Sequence, residues 1–271
     1  MIAHLINTDV GNRGVLGVYL DYRRQNPNFL HNSAKMFLDN YARVLVVTGF
    51  PIPPNMIPET DGPPGVLAIV NAVEALGGRA EVLTYHEVGM ALERFGVELA
   101  EKPDLNDYSL VIAVETPGRA ADGRYYSMSG LEITRETFDW AVVEAQKLGI
   151  PTIGIGDGGN EAGMGKIRKL VKCHVPHGGR IASVVETDEL ILSAVSNWGA
   201  YGLIAEASIE VGRNLLADWD EEKAVKAMVD AGLIDGVSKK LAPTVDGISL
   251  EVHRGIIELL KEITRYFIKR S

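Results

Sequence analysis

Thr152-Ile153-Gly154-Ile155-Gly156-Asp157-Gly158-Gly159-Asn160-Glu161-Ala162-Gly163-Met164-Gly165-Lys166 places a short apolar run directly before glycines and two carboxylates, with a helix-like segment following. Strand, tight turn and helix N-terminus in succession is the unit with which an open α/β sheet presents its ligand, at the carboxyl end of a strand. The glycines superficially resemble a dinucleotide fingerprint. Asp157 lies inside that pattern, however, where it would face a pyrophosphate, so a nucleotide cofactor is not expected. Backbone amides at the turn suit an anion, while Asp157 and Glu161 suit an ammonium or a hard cation. The plain alternative is an N-cap at Asp157 and a first-turn acid at Glu161.

Outward from this stretch the same grammar repeats. Arg43 to Phe50, Ala80 to Tyr85 and Tyr108 to Val114 read as strands, and Ile181 to Val185 as a fifth. Helical spacing is read over Val15–Arg24, Phe29–Tyr41, Val66–Leu76, Glu87–Leu99 and Thr134–Leu148, and from Ile167 to Val171. The remainder reads as helix over Glu189–Leu216, Glu221–Ala231 and Leu250–Ile268. Strands alternating with helices predict an α/β fold: a doubly wound, mostly parallel sheet with helices on both faces and a helical C-terminal third. One domain over residues 1–271 is expected.

Composition narrows the function classes. Among 271 residues, 46% are hydrophobic and the formal charge is −9, so no basic footprint for nucleic acid or an anionic membrane exists. A small-molecule partner follows. One cysteine excludes internal disulfides and multi-cysteine zinc sites. The opening Met1 to Asp9 lacks a basic region and meets an acid early, unlike a signal peptide, and the expectation is a cytoplasmic protein. The oligomeric state is left open, a homo-oligomer included.

Three strands end in loops of unusual chemistry, and these are expected to converge on one cleft. After Phe50 comes Pro58-Glu59-Thr60-Asp61-Gly62-Pro63-Pro64-Gly65; its acids suit an amine or a metal, or simply charge a helix N-terminus. After Val114 comes Glu115-Thr116-Pro117-Gly118-Arg119, where Arg119 could grip a carboxylate or be a solvated surface arginine. The third is the glycine turn itself. Asp9-Val10-Gly11-Asn12-Arg13-Gly14 reads either as a binding turn or as an ordinary N-cap. Ser196-Asn197-Trp198-Gly199 either faces a ligand or lets helices pack closely, and Thr244-Val245-Asp246-Gly247 marks a turn. Cys173-His174-Val175-Pro176-His177 reads as a helix C-terminus more readily than as a metal site.

Taken together, Glu59 to Gly65, Gly118-Arg119-Ala120-Ala121-Asp122-Gly123-x-Tyr125-Tyr126, Gly154 to Lys166, Ser196 to Gly199 and Val245-Asp246-Gly247 closely resemble, in this order, the C-terminal domain of D-glutamate cyclases. The resemblance covers nearly the whole chain and does not include the additional N-terminal domain of the animal enzyme. It implies a carbon–oxygen lyase that converts D-glutamate, an acidic amino acid, to 5-oxo-D-proline with loss of water, aided by Mg or Mn and by no nucleotide. Placed on that chemistry, Glu59, Asp157 and Glu161 become the expected metal ligands, and Asp157, Glu161 and Asp246 the catalytic acids. Glu161 is the first choice of base and Asp246 the reserve. Asp61, Gly62, Arg119, Gly158, Gly159, Asn160, Ser196 and Asn197 become the substrate contacts. A non-catalytic amino-acid or nucleotide sensor, and a metal-dependent lactam or amide hydrolase, are the alternatives.

Overall fold

The computed structural model describes residues 1–270. Six strands build the central sheet: β1 (Arg43–Thr48), β2 (Arg79–Leu83), β3 (Glu98–Leu99), β4 (Leu110–Val114), β5 (Thr152–Gly156) and β6 (Glu189–Leu192). All neighbours pair in parallel, in the order β6-β5-β4-β1-β2-β3. The order runs outward in both directions from the β1–β4 boundary, so the crossovers before and after that point leave the sheet on opposite sides. A crevice opens there beyond the strands' carboxyl ends.

The continuous apolar runs are explained by burial on both faces. Val44 and Val46 of β1, with Leu110, Ile112 and Val114 of β4, join the larger core under Phe29, Phe37, Leu67 and Leu203. The alternate residues Leu45, Val47, Val111 and Ala113 face Ala141, Val142 and Ala145 of the helix Asp139–Leu148. The helix Ser196–Val211 is apolar around its circumference because it is central, packed by Phe29–Asn40, Pro63–Ala75 and Leu250–Ile268. Its small residues serve that packing: a Cβ on Gly65 would lie 2.8 Å from that of Ala200.

Three strand assignments differ from those expected. Ile181–Val185 is not a strand; Gly178–Ile181 is a helical turn, and the backbone beyond it donates from Ser183 to Gly159 and from Val184 to Arg119, tying two loops together. The fifth long strand is Glu189–Leu192, read from sequence as the start of a helix. Its four-residue apolar run carries no period of its own, and only its place beside β5 settles it. Likewise Glu98–Leu99 pairs with β2 instead of ending the helix His86–Glu93.

Asp246 and Gly247 form the two-residue loop of a hairpin, Thr244–Val245 against Ile248–Ser249, with φ of 56° and 73°. Two left-handed residues in succession are what a type I′ turn requires. Trp198 holds this hairpin from the central helix. Its Nε1–H donates to His253 Nδ1 at 2.8 Å, and His253 Nε2 donates to the Val245 carbonyl at 3.2 Å. All of this is buried, which pushes the His253 pKa down to about 4 and keeps the ring neutral. Trp198→Phe should therefore cost about 1–3 kcal/mol by leaving His253 Nδ1 unpartnered, read by urea denaturation at neutral pH.

Candidate active site

At the β1–β4 reversal lies a cavity of about 250 Å³. Its apolar wall is Phe50, Ile52 and Pro53; its acidic wall is Glu59, Glu115, Asp157 and Asp246; Ser127, Ser129 and Lys239 also line it. The three loops expected to converge do so, through Glu59, Glu115 and Asp157. The cavity is completed by Arg13 from the N-terminal turn and by the segment Gly236–Lys239.

The glycine turn is built differently from a helix N-terminus. No helix opens at Asp157; after bridges at Glu161, Gly163 and Met164 a 3-10 turn spans Gly165–Ile167 and the helix begins at Arg168. The amides of the turn point instead at Glu161, whose Oε1 accepts from Gly158 at 2.6 Å and from Asp157 at 3.3 Å, while Oε2 accepts from Gly159 at 2.7 Å. They are therefore not free for a substrate anion. Gly158 leaves no room for a side chain: a Cβ there would stand 2.5 Å from Met128 Sδ, 2.8 Å from Asn160 Oδ1 and 2.9 Å from Glu161 Oε1. Asn160 donates to the Tyr126 carbonyl at 2.7 Å, and its Oδ1, buried at the cavity wall, has no partner among the described residues.

Arg13 is the principal countercharge. Its guanidinium bonds Asp157 at 2.6 Å and also Asp246, and its backbone N–H is held by Asp9 Oδ1 at 2.8 Å. Asp61 turns inward to cap the central helix, accepting from the amides of Ser196 and Asn197, both at 2.8 Å. Asn197 is spent on the same loop, its Oδ1 accepting from Gly62 at 3.0 Å and Gly65 at 2.9 Å and its amide donating to the Thr60 carbonyl. Ser196 donates its hydroxyl to Glu115. Glu115 itself adopts a left-handed φ of 42°, a conformation that costs an L-residue energy and is held by the surrounding sheet edge.

So many buried carboxyls around one arginine cannot all be charged. Burial, then Asp246, Asp61 and Asp157, hold Glu59 well above the ordinary carboxylate range. Burial, then Glu161, Asp157 and Asp61, do the same to Glu115. Asp61 and Asp157 are each pushed up to about 8, by burial first, the latter in spite of Arg13. Asp246 is raised by burial and by its hydrogen bond to Asp157. Such a cluster takes up protons or cations. Two groups of carboxylates have oxygens within 4.8 Å of one another, Asp61 with Asp157 and Asp246, and Glu115 with Asp157 and Glu161.

Of the residues singled out from sequence, Glu59, Asp157, Asn160 and Asp246 line the cavity. Asp61, Gly62, Gly158, Gly159, Glu161, Ser196 and Asn197 do not line it but are bonded to the segments that do. Glu59 stands outside both carboxylate groups, so it is not brought into a ligand set with Asp157 and Glu161. Arg119 is not brought to the cavity. Asp139, almost wholly buried, holds its guanidinium in a fork at 2.8 and 3.0 Å and its amide at 3.1 Å, with Tyr125 completing the shell. His174 pairs with Asp21 at 2.8 Å and His177 belongs to neither carboxylate group.

Sequence reading places Arg13 in a possible binding turn and Glu115 in a loop expected at the cleft without assigning either a role, and it passes over Lys239. Glu115 follows β4 as Asp157 follows β5, an offset that could have marked it. Lys239 carries no local signal.

The family described as D-glutamate cyclase-like, C-terminal, matches residues 2–261. Human mitochondrial D-glutamate cyclase is 30% identical over 319 aligned residues, which cover 96% of this chain and 51% of that protein. The chain thus spans about half the length of that relative. Solved structures are more distant. A manganese-bound exonuclease RecJ aligns at 11% identity and a TM-score of 0.41, over 89% of this chain and 66% of its own. An exopolyphosphatase-related protein from Bacteroides fragilis aligns at 9% and 0.45, over 90% and 61%. Scores this low carry no argument about fold or chemistry. On the extent of the family match and the identity to the human enzyme, the chain belongs to the D-glutamate cyclase-like, C-terminal family.

Proposed function

We propose that the chain is a lyase that closes D-glutamate to 5-oxo-D-proline with loss of water. The observation that carries this reading, beside the family, is Glu59: a buried carboxyl on the cavity wall, close enough that a Cβ on Gly236 would lie 1.7 Å from its Oε2, and raised in proton affinity. In its ionised form, such a group is a stronger base than an ordinary carboxylate and accepts a proton from an ammonium held against it. Glu161, the first choice from sequence, already accepts three backbone N–H groups.

A divalent cation suits the donor set. Glu115, Asp157 and Glu161 would hold it, with the unpartnered Oδ1 of Asn160 beside them, and hard oxygen donors favour Mg or Mn. When bound, such an ion neutralises the charge of a carboxylate and makes its carbon electrophilic.

The protons balance on the chain's own residues. Glu59 accepts the first from the substrate ammonium, freeing the lone pair that forms the C–N bond to the side-chain carboxyl carbon. Asp246, hydrogen-bonded to Asp157, protonates the departing oxygen as the C–O bond breaks. The second nitrogen proton restores Asp246, and the proton on Glu59 completes the water.

Incubation of the Mn- or Mg-loaded protein with each glutamate isomer, followed by chiral chromatography, should yield 5-oxo-D-proline from D-glutamate. Absence of product from every isomer would overturn the reading. Gly236→Ala offers a finer check, because its methyl must displace the Glu59 carboxylate. Turnover should fall by about 100-fold with little loss of melting temperature, as expected when a reacting group moves by about 1 Å.

A further inference from the structure

We propose that Lys239 anchors the substrate's non-reacting α-carboxylate, so that it sets the site's preference for an amino acid with a free α-carboxylate. This rests on the cyclisation reading above.

The other groups suited to bind a carboxylate are committed elsewhere. Arg119 is held by Asp139 at 2.8 and 3.0 Å. The amides of Gly158 and Gly159 are taken by Glu161 at 2.6 and 2.7 Å. Arg13 is bonded to Asp157 and Asp246. Lys239 lines the same cavity, and its Nζ donates only to the Pro53 carbonyl, at 3.3 Å. Among the described residues no carboxylate forms an ion pair with it, which leaves ammonium protons for a ligand.

Its placement is fixed. Lys239 sits at φ 57°, left-handed, and its N–H donates to the Asp235 carbonyl at 2.8 Å. The Asp235 carboxylate gathers the amides of Val237 at 3.1 Å, Ser238 at 2.5 Å and Gly247 at 2.7 Å. One buried carboxylate thereby ties the loop carrying Lys239 to the hairpin carrying Asp246, so the backbone from which this exposed lysine reaches the cavity keeps a set position relative to the acids.

The charge layout then orients a zwitterion. Ring closure needs the amine and the side-chain carboxyl together at the acidic wall, near Glu59 and Asp157. The α-carboxylate is the group left over, and its complement in the cavity is Lys239. Binding energy from a group that does not react holds the reacting pair in place.

The test compares wild type, Lys239→Met and Lys239→Arg on D-glutamate and on D-glutamate α-amide, which lacks the charge in question. Wild type should prefer D-glutamate by about 30-fold in KM, the scale of a lost charge-assisted hydrogen bond. Lys239→Met should raise the KM for D-glutamate by about 30-fold with kcat within about 3-fold, and discriminate the two compounds hardly at all. Lys239→Arg should restore most of the preference. A Lys239→Met enzyme that keeps wild-type discrimination, or that loses kcat alone, overturns the proposal. Calorimetric titration of both compounds separates this outcome from failure of the cyclase reading. If wild type binds D-glutamate without turnover, the activity falls while the anchor is still judged by the affinity lost in Lys239→Met. Equal affinity in both proteins, or no binding of D-glutamate to wild type, overturns the anchor.

Discussion

Asp157→Asn should lower the rate of 5-oxoproline formation by about 1,000-fold or more while leaving the fold intact. Asp157 belongs to both carboxylate groups, pairs with Arg13 and lines the cavity, so no other single carboxyl touches as many parts of the site. Removing one electrostatic contact to a reacting group commonly costs 100- to 1,000-fold, and losing a divalent cation as well would add to that. The amide keeps the shape of the acid and can still accept from Arg13, and an acid that burial raises to about 8 is largely uncharged at neutral pH, so in the metal-free site the exchange removes little charge. The metal-free melting temperature of Asp157→Asn should accordingly stay at or above that of wild type. A variant that melts well below wild type would show Asp157 to be a support of the fold instead.

The metal-free protein should lose stability between pH 6.5 and pH 8, on the order of 4 kcal/mol, and a divalent cation should abolish most of the loss. The sign follows from the acids. Asp61 and Asp157 bind protons up to about pH 8 in the folded state, whereas in the unfolded chain they ionise near the ordinary value of 3.8. The folded state therefore holds extra protons across this window, and stability present at low pH is lost as pH rises through the folded values. Two groups over about 1.5 pH units, at about 1.4 kcal/mol per unit each, give the magnitude. Glu221, raised to about 7 by burial, works in the same direction. His253 works the other way, because its depressed pKa favours the folded state as pH climbs through 6.5, but the rest of that titration, in the unfolded chain alone, contributes only about 0.4 kcal/mol above pH 6.5. Urea denaturation at several pH values, in EDTA and in excess Mn, measures both effects. A profile that is flat or rises from pH 6.5 to 8 without metal would show that the carboxyl cluster is not protonated in the folded state. An unchanged slope in Mn would show that no ion binds there.

Much of the architecture is legible locally. The run Val44 to Val47 is apolar on consecutive residues because each face of β1 meets a different core, and that pattern marks a covered parallel strand before any partner is known. Glu59, Asp157 and Asp246 are marked by the glycines and turns around them. What misled was also local. Arg119 stands among small residues and resembles a carboxylate grip, yet its partner Asp139 lies 20 residues on, at the start of a helix with an ordinary composition. The amides after Asp157 read as free because nothing local shows that Glu161, two to four residues on, folds back to accept them. Glu189–Leu192 is too short a run to show a period.

Sequence by itself determined that this chain alternates strand and helix, that its strands are buried on both faces, and that acids and glycines gather where several strands end. These follow from side-chain periodicity and turn chemistry, which act over a few residues. Only the tertiary structure decided that the sheet reverses between β1 and β4, that Glu115 stands at that reversal, and that Arg13 answers Asp157 across 144 positions of chain. Lys239 reaches the same cavity in the same way. Charges bind through space, and no local pattern records which distant segment folding will bring beside them.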